Sequence, residues 1–188
     1  MPKLAVFNSV STDGYFSGPN DDISWTKEGA DDPEWAQFVA GNAGTGGVLV
    51  FGRKTYDMMK SFWPTPQAMQ MMPEVAKGMN ESKKLVFSRT LDKADWSNTR
   101  LVKGDLVEEL KRLKKESGPD MIILGSGSIV SQAAQNGLID QYTMVVVPVV
   151  LGRGRTMFEG VRDKLALKLK ESRAFRNGRT VQTYAPAR

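Results

Sequence analysis

Met121-Ile122-Ile123-Leu124-Gly125-Ser126-Gly127-Ser128-Ile129-Val130 is the stretch that decides the fold. Its first four residues are apolar without a break, as in a strand buried on both faces. Gly125 and Gly127 follow at once. Ile129, Val130, Ala133 and Ala134 then recur at helical spacing as far as Asn136-Gly137. The stretch reads as strand, glycine turn and helix. Such a turn lets a ligand approach the backbone closely, and the helix start offers N–H groups and positive partial charge to a phosphate. Residues 125–130 complete only part of the G-x-G-x-x-G pattern. A phosphate cradle and a plain strand-to-helix turn therefore both stand at this point.

Composition narrows the chemistry. The chain has 188 residues, 40% hydrophobic and 25% charged, which suits one globular α/β domain over 1–188. No apolar run reaches the length of a membrane span, and residues 1–7 lack the apolar core of a signal peptide. The expectation is a cytoplasmic protein without membrane contact. There is no cysteine and no histidine. That removes thiolate chemistry, the usual general base, the usual metal ligand and any Ser-His-Asp triad. A net charge of +5 suits anionic ligands such as nucleotides or phosphorylated metabolites, and also permits nucleic acid. No aromatic-basic signature points to nucleic acid.

Working outward, residues 3–10 read as a buried strand that leads into a long turn-rich loop, Ser11 to Asp22. Asp31-Asp32-Pro33-Glu34-Trp35 has the form of a helix start, with an acidic cap and Pro in the first turn. That helix should end near Gly41-Asn42, and Gly44 to Gly47 should be a flexible joint. Val48 to Phe51 is a second buried strand, and Gly52-Arg53-Lys54-Thr55 opens the next helix. This is a second candidate phosphate turn, although it is not a Walker A loop. Residues 67–82 are rich in methionine, either as core filling or as the wall of a pocket for a flat ring. Lys84 to Phe87 is a strand followed by Ser88-Arg89-Thr90, and Asp105 with Glu108 forms a capping-box pattern. Gln141 to Val147 is another buried strand. Leu165, Leu167 and Leu169 alternate with lysines as in a half-exposed strand, and Asn177-Gly178 marks a hairpin. Alternating β and α segments that close with a hairpin imply a mainly parallel sheet with an antiparallel C-terminal edge.

Four motifs now stand in order, each after a buried strand: Phe51-Gly52-Arg53-Lys54-Thr55-Tyr56, Val86-Phe87-Ser88-Arg89-Thr90, Leu124-Gly125-Ser126-Gly127-Ser128, and Val147-Pro148 through Gly154-Arg155. In these the chain resembles the dihydrofolate reductase superfamily. More closely, it resembles the branch containing the reductase domain of the bifunctional riboflavin-biosynthesis deaminase/reductase. The resemblance implies a three-layer α/β/α fold, NADPH as cofactor and a homodimer. It implies hydride transfer to a small heterocycle or ribosylaminopyrimidine, of the 5-amino-6-(5-phosphoribosylamino)uracil type. A non-catalytic NADP(H)-binding protein of the same fold is the alternative. By the same resemblance Gly52, Arg53, Lys54 and Thr55 hold cofactor phosphates, with Arg53 near the 2′-phosphate. Ser88 and Arg89 lie at the adenosine end. Gly125, Ser126, Gly127, Ser128 and Ile129 lie under the pyrophosphate and nicotinamide ribose, and residues 11–25 form a mobile loop. Asp32 matches a substrate-binding carboxylate, and it also reads as a helix cap.

Overall fold

The chain alternates strand and helix along most of its length, and nearly every strand joins one sheet. The computed structural model describes residues 1–29, 31–43 and 46–187. In order the elements are β1 (Leu4–Ser11), β2 (Tyr15–Ser17), α1 (Pro33–Ala43), β3 (Val48–Gly52), α2 (Arg53–Phe62), α3 (Pro66–Met71), α4 (Pro73–Glu81) and β4 (Lys84–Phe87). Then come β5 (Thr99–Val102), α5 (Leu106–Lys115), β6 (Met121–Leu124), α6 (Gly127–Gln135), β7 (Gln141–Val147), β8 (Arg155–Thr156), β9 (Leu167–Ala174) and β10 (Thr180–Pro186). The 8-stranded sheet runs β5-β4-β3-β6-β1-β7-β10-β9. Strands β5 through β7 are parallel, β10 is antiparallel to β7, and β9 is antiparallel to β10. A small second sheet, absent from the sequence reading, pairs β2 with β8.

The period-2 geometry of a strand sends neighbouring side chains to opposite faces, so the unbroken apolar runs fill two layers. Leu4, Val6, Val50 and Ile123 pack with Leu106 and Leu110 of α5 and with Ile129, Val130 and Ala133 of α6. Leu49 and Phe51 face the other way, onto Tyr56 of α2 and Val75 and Met79 of α4. Phe7, Val145 and Val181 pack with Trp25, Phe175, and Trp35 and Phe38 of α1. The result is α/β/α, with α1–α4 on one face and α5 and α6 on the other.

Local chemistry sets the helix starts. Pro leads α1, α3 and α4, where its missing N–H costs nothing. Thr65 caps α3 by accepting from Ala68 N at 3.2 Å, and Asp105 caps α5 by accepting from Glu108 N at 3.0 Å. The Glu108 side chain pairs with Lys111 instead of closing the box. Helix α1 runs on to Ala43, past the expected end. Residues 44 and 45 of the expected joint lie outside the described residues. The methionines divide: Met79 is buried, while Met69 and Met71 of α3 are exposed. Strand β9 forms the sheet edge and is more open than its alternation suggests, with Leu169 exposed.

Two buried cations brace this frame. Lys84 is 1% exposed, and its ammonium donates to the carbonyls of Asn80, Ser82 and Ser97 at 2.7–3.1 Å. Its Nζ also sits 4.5 Å from the Trp96 ring centre. Burial pushes this ammonium down, to about 8. Arg179, also 1% exposed, donates to the carbonyls of Thr26, Glu28 and Gly29, so the C-terminal hairpin holds the end of the loop that follows β2. No helix among the described residues is long and apolar enough to cross a membrane.

Glu109 supplies a pH-dependent contribution. Hydrogen bonds from Arg112, joined by Arg100, hold its carboxyl at about 2 against an ordinary 4.5. A depressed carboxylate stabilises the fold fully above its unfolded value and ceases to do so as pH falls through its folded value. Acid unfolding of Glu109→Gln should therefore show a deficit at pH 7 that shrinks between pH 4.5 and pH 2.

Candidate functional site

Because β4, β3, β6, β1 and β7 are adjacent and parallel, their carboxyl ends share one edge. The chain leaves that edge by five connections: residues 88–90, 52–55, 125–129, 11–29 and 148–157. Crevices outside the carboxyl ends of parallel strands are where open α/β sheets bind ligands.

A buried clasp joins two of these turns. Ser126 Oγ accepts from Gly52 N at 2.6 Å and lies 2.9 Å from Thr55 Oγ1, and Thr55 Oγ1 accepts from Ser126 N at 3.0 Å. Asn8 grips the same turn from β1. Its Oδ1 accepts from Gly125 N at 2.5 Å, and its Nδ2 donates to Gly125 O at 3.3 Å. Gly125 and Ser126 both take the left-handed conformation, at φ +62 and +56. A Cβ on Gly125 would lie 2.8 Å from Thr55 Cγ2. Gly127 differs, because its Cβ would meet Phe16 of β2 at 3.5 Å, an ordinary contact.

This clasp redistributes the expected roles. The hydroxyls of Thr55 and Ser126 are turned into the joint. Ile129 is buried, with its amide donating to Ser126 O. Gly127 and Ser128 remain at the start of α6, and Gly52, Arg53 and Lys54 at the start of α2. The first N–H groups of any helix have no partner within it. Helices α1, α4 and α5 each carry a carboxylate in the first turn, whereas α2, α3 and α6 carry none, and α2 and α6 start at this edge.

Cations gather at the same edge. Arg53 donates to Thr90 Oγ1 at 3.0 Å and pairs with Asp57 at 3.3 Å, which ties the 52–55 turn to the 88–90 turn. Ser88 Oγ accepts from the amides of Thr90 and Leu91. Arg89 is exposed and has no partner among the described residues. Asp21, from the loop after β2, bonds Lys54 at 2.7 Å and approaches Arg155 at 3.5 Å. The Lys54 bond holds the Asp21 carboxyl below its usual range. Asp13 fixes the 148–155 loop by accepting from Leu151 N and Gly152 N.

Asp32 belongs elsewhere. Its Oδ1 accepts from Glu34 N and Trp35 N, and its Oδ2 accepts from Asn177 N. The residue is 8% exposed. Both oxygens are committed, so Asp32 is the cap of α1 and a brace for the hairpin, and its reading as a catalytic residue is corrected. Beside the clasp lies a cleft of about 910 Å³ between the sheet and α1, α2 and α4. Leu124 and its sheet partner Phe7 line it beside Gly125, and Phe16, Ile23 and Met58 belong to its lining as well. Among the described residues its lining carboxylates are Asp120 and Glu171, both far from that end. Sequence reasoning missed Asn8 and Phe16. A polar residue inside an apolar strand was the available signal for Asn8.

The architecture is that of the dihydrofolate-reductase-like α/β proteins. A family model described as the RibD C-terminal domain matches residues 2–181. The chain belongs to this family, a reductase-like branch of that fold. Relatives include two uncharacterized Bacillus subtilis (strain 168) proteins. YyaP is 28% identical, with 94% of this chain and 90% of that protein covered. YwjB is 26% identical, with 97% and 96% covered. Among solved structures, a pyrimidine reductase-like protein of Corynebacterium diphtheriae aligns at TM-score 0.68 and 14% identity, covering 100% of this chain and 92% of that one. A diaminohydroxyphosphoribosylaminopyrimidine deaminase/5-amino-6-(5-phosphoribosylamino)uracil reductase of Thermotoga maritima aligns at TM-score 0.66 and 13% identity, covering 99% of this chain and 57% of that one. At these identities the structural likeness concerns the fold.

The clasp separates the two glycines. Gly125→Ala forces a side chain into left-handed backbone, at about 1–2 kcal/mol, and into Thr55 as well. Gly127→Ala should stay within about 0.5 kcal/mol of wild type. Urea unfolding of both variants measures the difference.

Proposed function

We propose that this protein is an NADPH-dependent reductase that delivers a hydride to a small planar heterocycle in the cleft. The observation that carries the reading is the edge itself. Two acid-free helix starts, those of α2 and α6, are clasped side by side with Arg53, Lys54 and Arg89 around them. A dinucleotide carries phosphates that need amide donors and cations, and these residues fit that need. Arg53 and Lys54 would hold phosphate at α2, where the Gly52 amide is already given to Ser126 Oγ. Gly127 and Ser128 would do so at α6. Ser88 and Arg89 would flank the adenosine end, where a guanidinium suits a 2′-phosphate.

Bound there, the dinucleotide would supply the hydride. The protein's share is position and exclusion of water. Phe16 lies against Gly127 and also lines the cleft, so β2 can shield the reacting end. With no carboxylate, lysine or arginine at that end among the described residues, the proton that completes reduction would come from water. Asp21 places an anion on Lys54 and Arg155, and a cofactor phosphate at α2 would compete with it for Lys54. The exposed edge strand β9 suits pairing with a second copy, in keeping with a homodimer.

Arg89→Ala should weaken NADPH by about 1.5–3 kcal/mol, the usual worth of a hydrogen bond to a charged group, and should leave NADH nearly unchanged. Isothermal titration with both nucleotides checks this. Equal losses would remove Arg89 from the 2′-phosphate. Binding without oxidation in the presence of any pterin, aminopyrimidine or ribosyl substrate would favour the non-catalytic alternative.

A further inference from the structure

The floor of the cleft is set by strand register. Leu124 of β6 pairs with Phe7 of β1, Phe7 with Thr143 of β7, Thr143 with Thr183 of β10, and Thr183 with Glu171 of β9. All five residues line the cleft. They form one straight row across neighbouring strands, about 19 Å from first to last at ~4.8 Å per strand. The row changes character along its length. Leu124 and Phe7, beside the Gly125 turn, are apolar. In the middle the hydroxyls of Thr143 and Thr183 lie 3.3 Å apart, and Gln141 Nε2 lies 3.3 Å from Thr143 Oγ1. At the end stands the Glu171 carboxylate, exposed and without a partner among the described residues.

Among the described residues, Arg173 is the one cleft cation at the Glu171 end, and it is paired. Arg173, the cleft residue two positions along β9, pairs with Glu34 at 2.8 Å and lies 4.6 Å from the Phe175 ring. Lys3, the other cation of the cleft, stands four residues before Phe7 at the foot of β1, where its backbone N–H donates to Asp120 Oδ1 at 2.7 Å. A phosphate dianion is held best by several cationic donors, and here it would meet one arginine already paired with Glu34 and would face the Glu171 carboxylate directly. Like charges at that range repel.

We propose that the cleft takes an unphosphorylated substrate: an uncharged flat ring at the Phe7–Leu124 end, with a hydroxylated chain along Thr143, Thr183 and Glu171. This rests on the reductase reading of the edge. It sets the chain apart from the phosphoribosyl substrate in the name of the Thermotoga maritima neighbour. Hydroxyl groups can donate to the Glu171 carboxylate and exchange hydrogen bonds with the threonines. A phosphate dianion has no proton to donate to that carboxylate and is repelled by it.

Dihydroneopterin and its monophosphate make a matched pair, alike in ring and chain and different only in the phosphate. Titrated into the full chain, dihydroneopterin should bind at least tenfold more tightly than the monophosphate. Glu171→Lys should raise affinity for the monophosphate at least tenfold. NADPH titration should be unchanged in that variant, since Glu171 lies far from the turns. Equal or tighter binding of the monophosphate to wild type overturns the proposal, and so does an unchanged ratio in Glu171→Lys or failure of both pterins to bind. If the pterins behave as stated but NADPH does not bind wild-type protein, the substrate proposal stands and the reductase reading falls.

Discussion

The structure depends on one buried joint between two turns. Ser126 sits in left-handed backbone, a conformation that costs a non-glycine residue roughly 1–2 kcal/mol. Its hydroxyl and amide recover that cost by bonding Gly52 N and Thr55 Oγ1. Asn8 holds both polar groups of the Gly125 backbone from the next strand. Strands β3, β6 and β1 thus have their carboxyl ends fixed to one another by side chains as well as by the ladder. The starts of α2 and α6 are set as a pair, and donors held in place before binding avoid ordering costs on ligand capture.

The electrostatics follow from that arrangement. Three other helices place acids in their first turns, but the two clasped helices leave theirs to basic or small residues. Those two helix starts lie on one edge of the sheet with Arg53, Lys54 and Arg89, and Asp21 pairs with Lys54 and Arg155 from the loop after β2. The cleft has the reverse character near the clasp, where apolar side chains dominate. An edge that attracts phosphate beside an apolar pocket suits a cofactor that brings its own chemistry. That agrees with a chain holding neither histidine nor cysteine.

Much of the fold was legible because buried parallel strands write themselves as apolar runs. Met121 to Leu124 and Val48 to Phe51 are strands of the sheet interior, and the glycine turns after them lie where the sequence reading put them. What escaped was long-range polar geometry. Lys84 opens a strand and nothing in the local sequence marks it as buried, yet its ammonium is enclosed by the carbonyls of Asn80, Ser82 and Ser97. Arg179 reads as a residue after a hairpin turn, but it anchors a loop some 150 positions earlier. Asp32 satisfied both a family spacing and a cap pattern, and its two oxygens, bonded to Glu34, Trp35 and Asn177 amides, decide for the cap. Thr55 and Ser126 sit in the right turns, but local sequence does not tell a hydroxyl aimed at a ligand from one aimed at its neighbour.

The central claim is that the clasped edge holds a dinucleotide, and amide hydrogen exchange with and without NADPH tests it most directly. Protection should rise at the starts of α2 and α6, in residues 88–90 and in the loop after β1, and should stay level in α5 and along β9. Unchanged exchange at the helix starts in the presence of saturating NADPH, or protection confined to another surface, would contradict it.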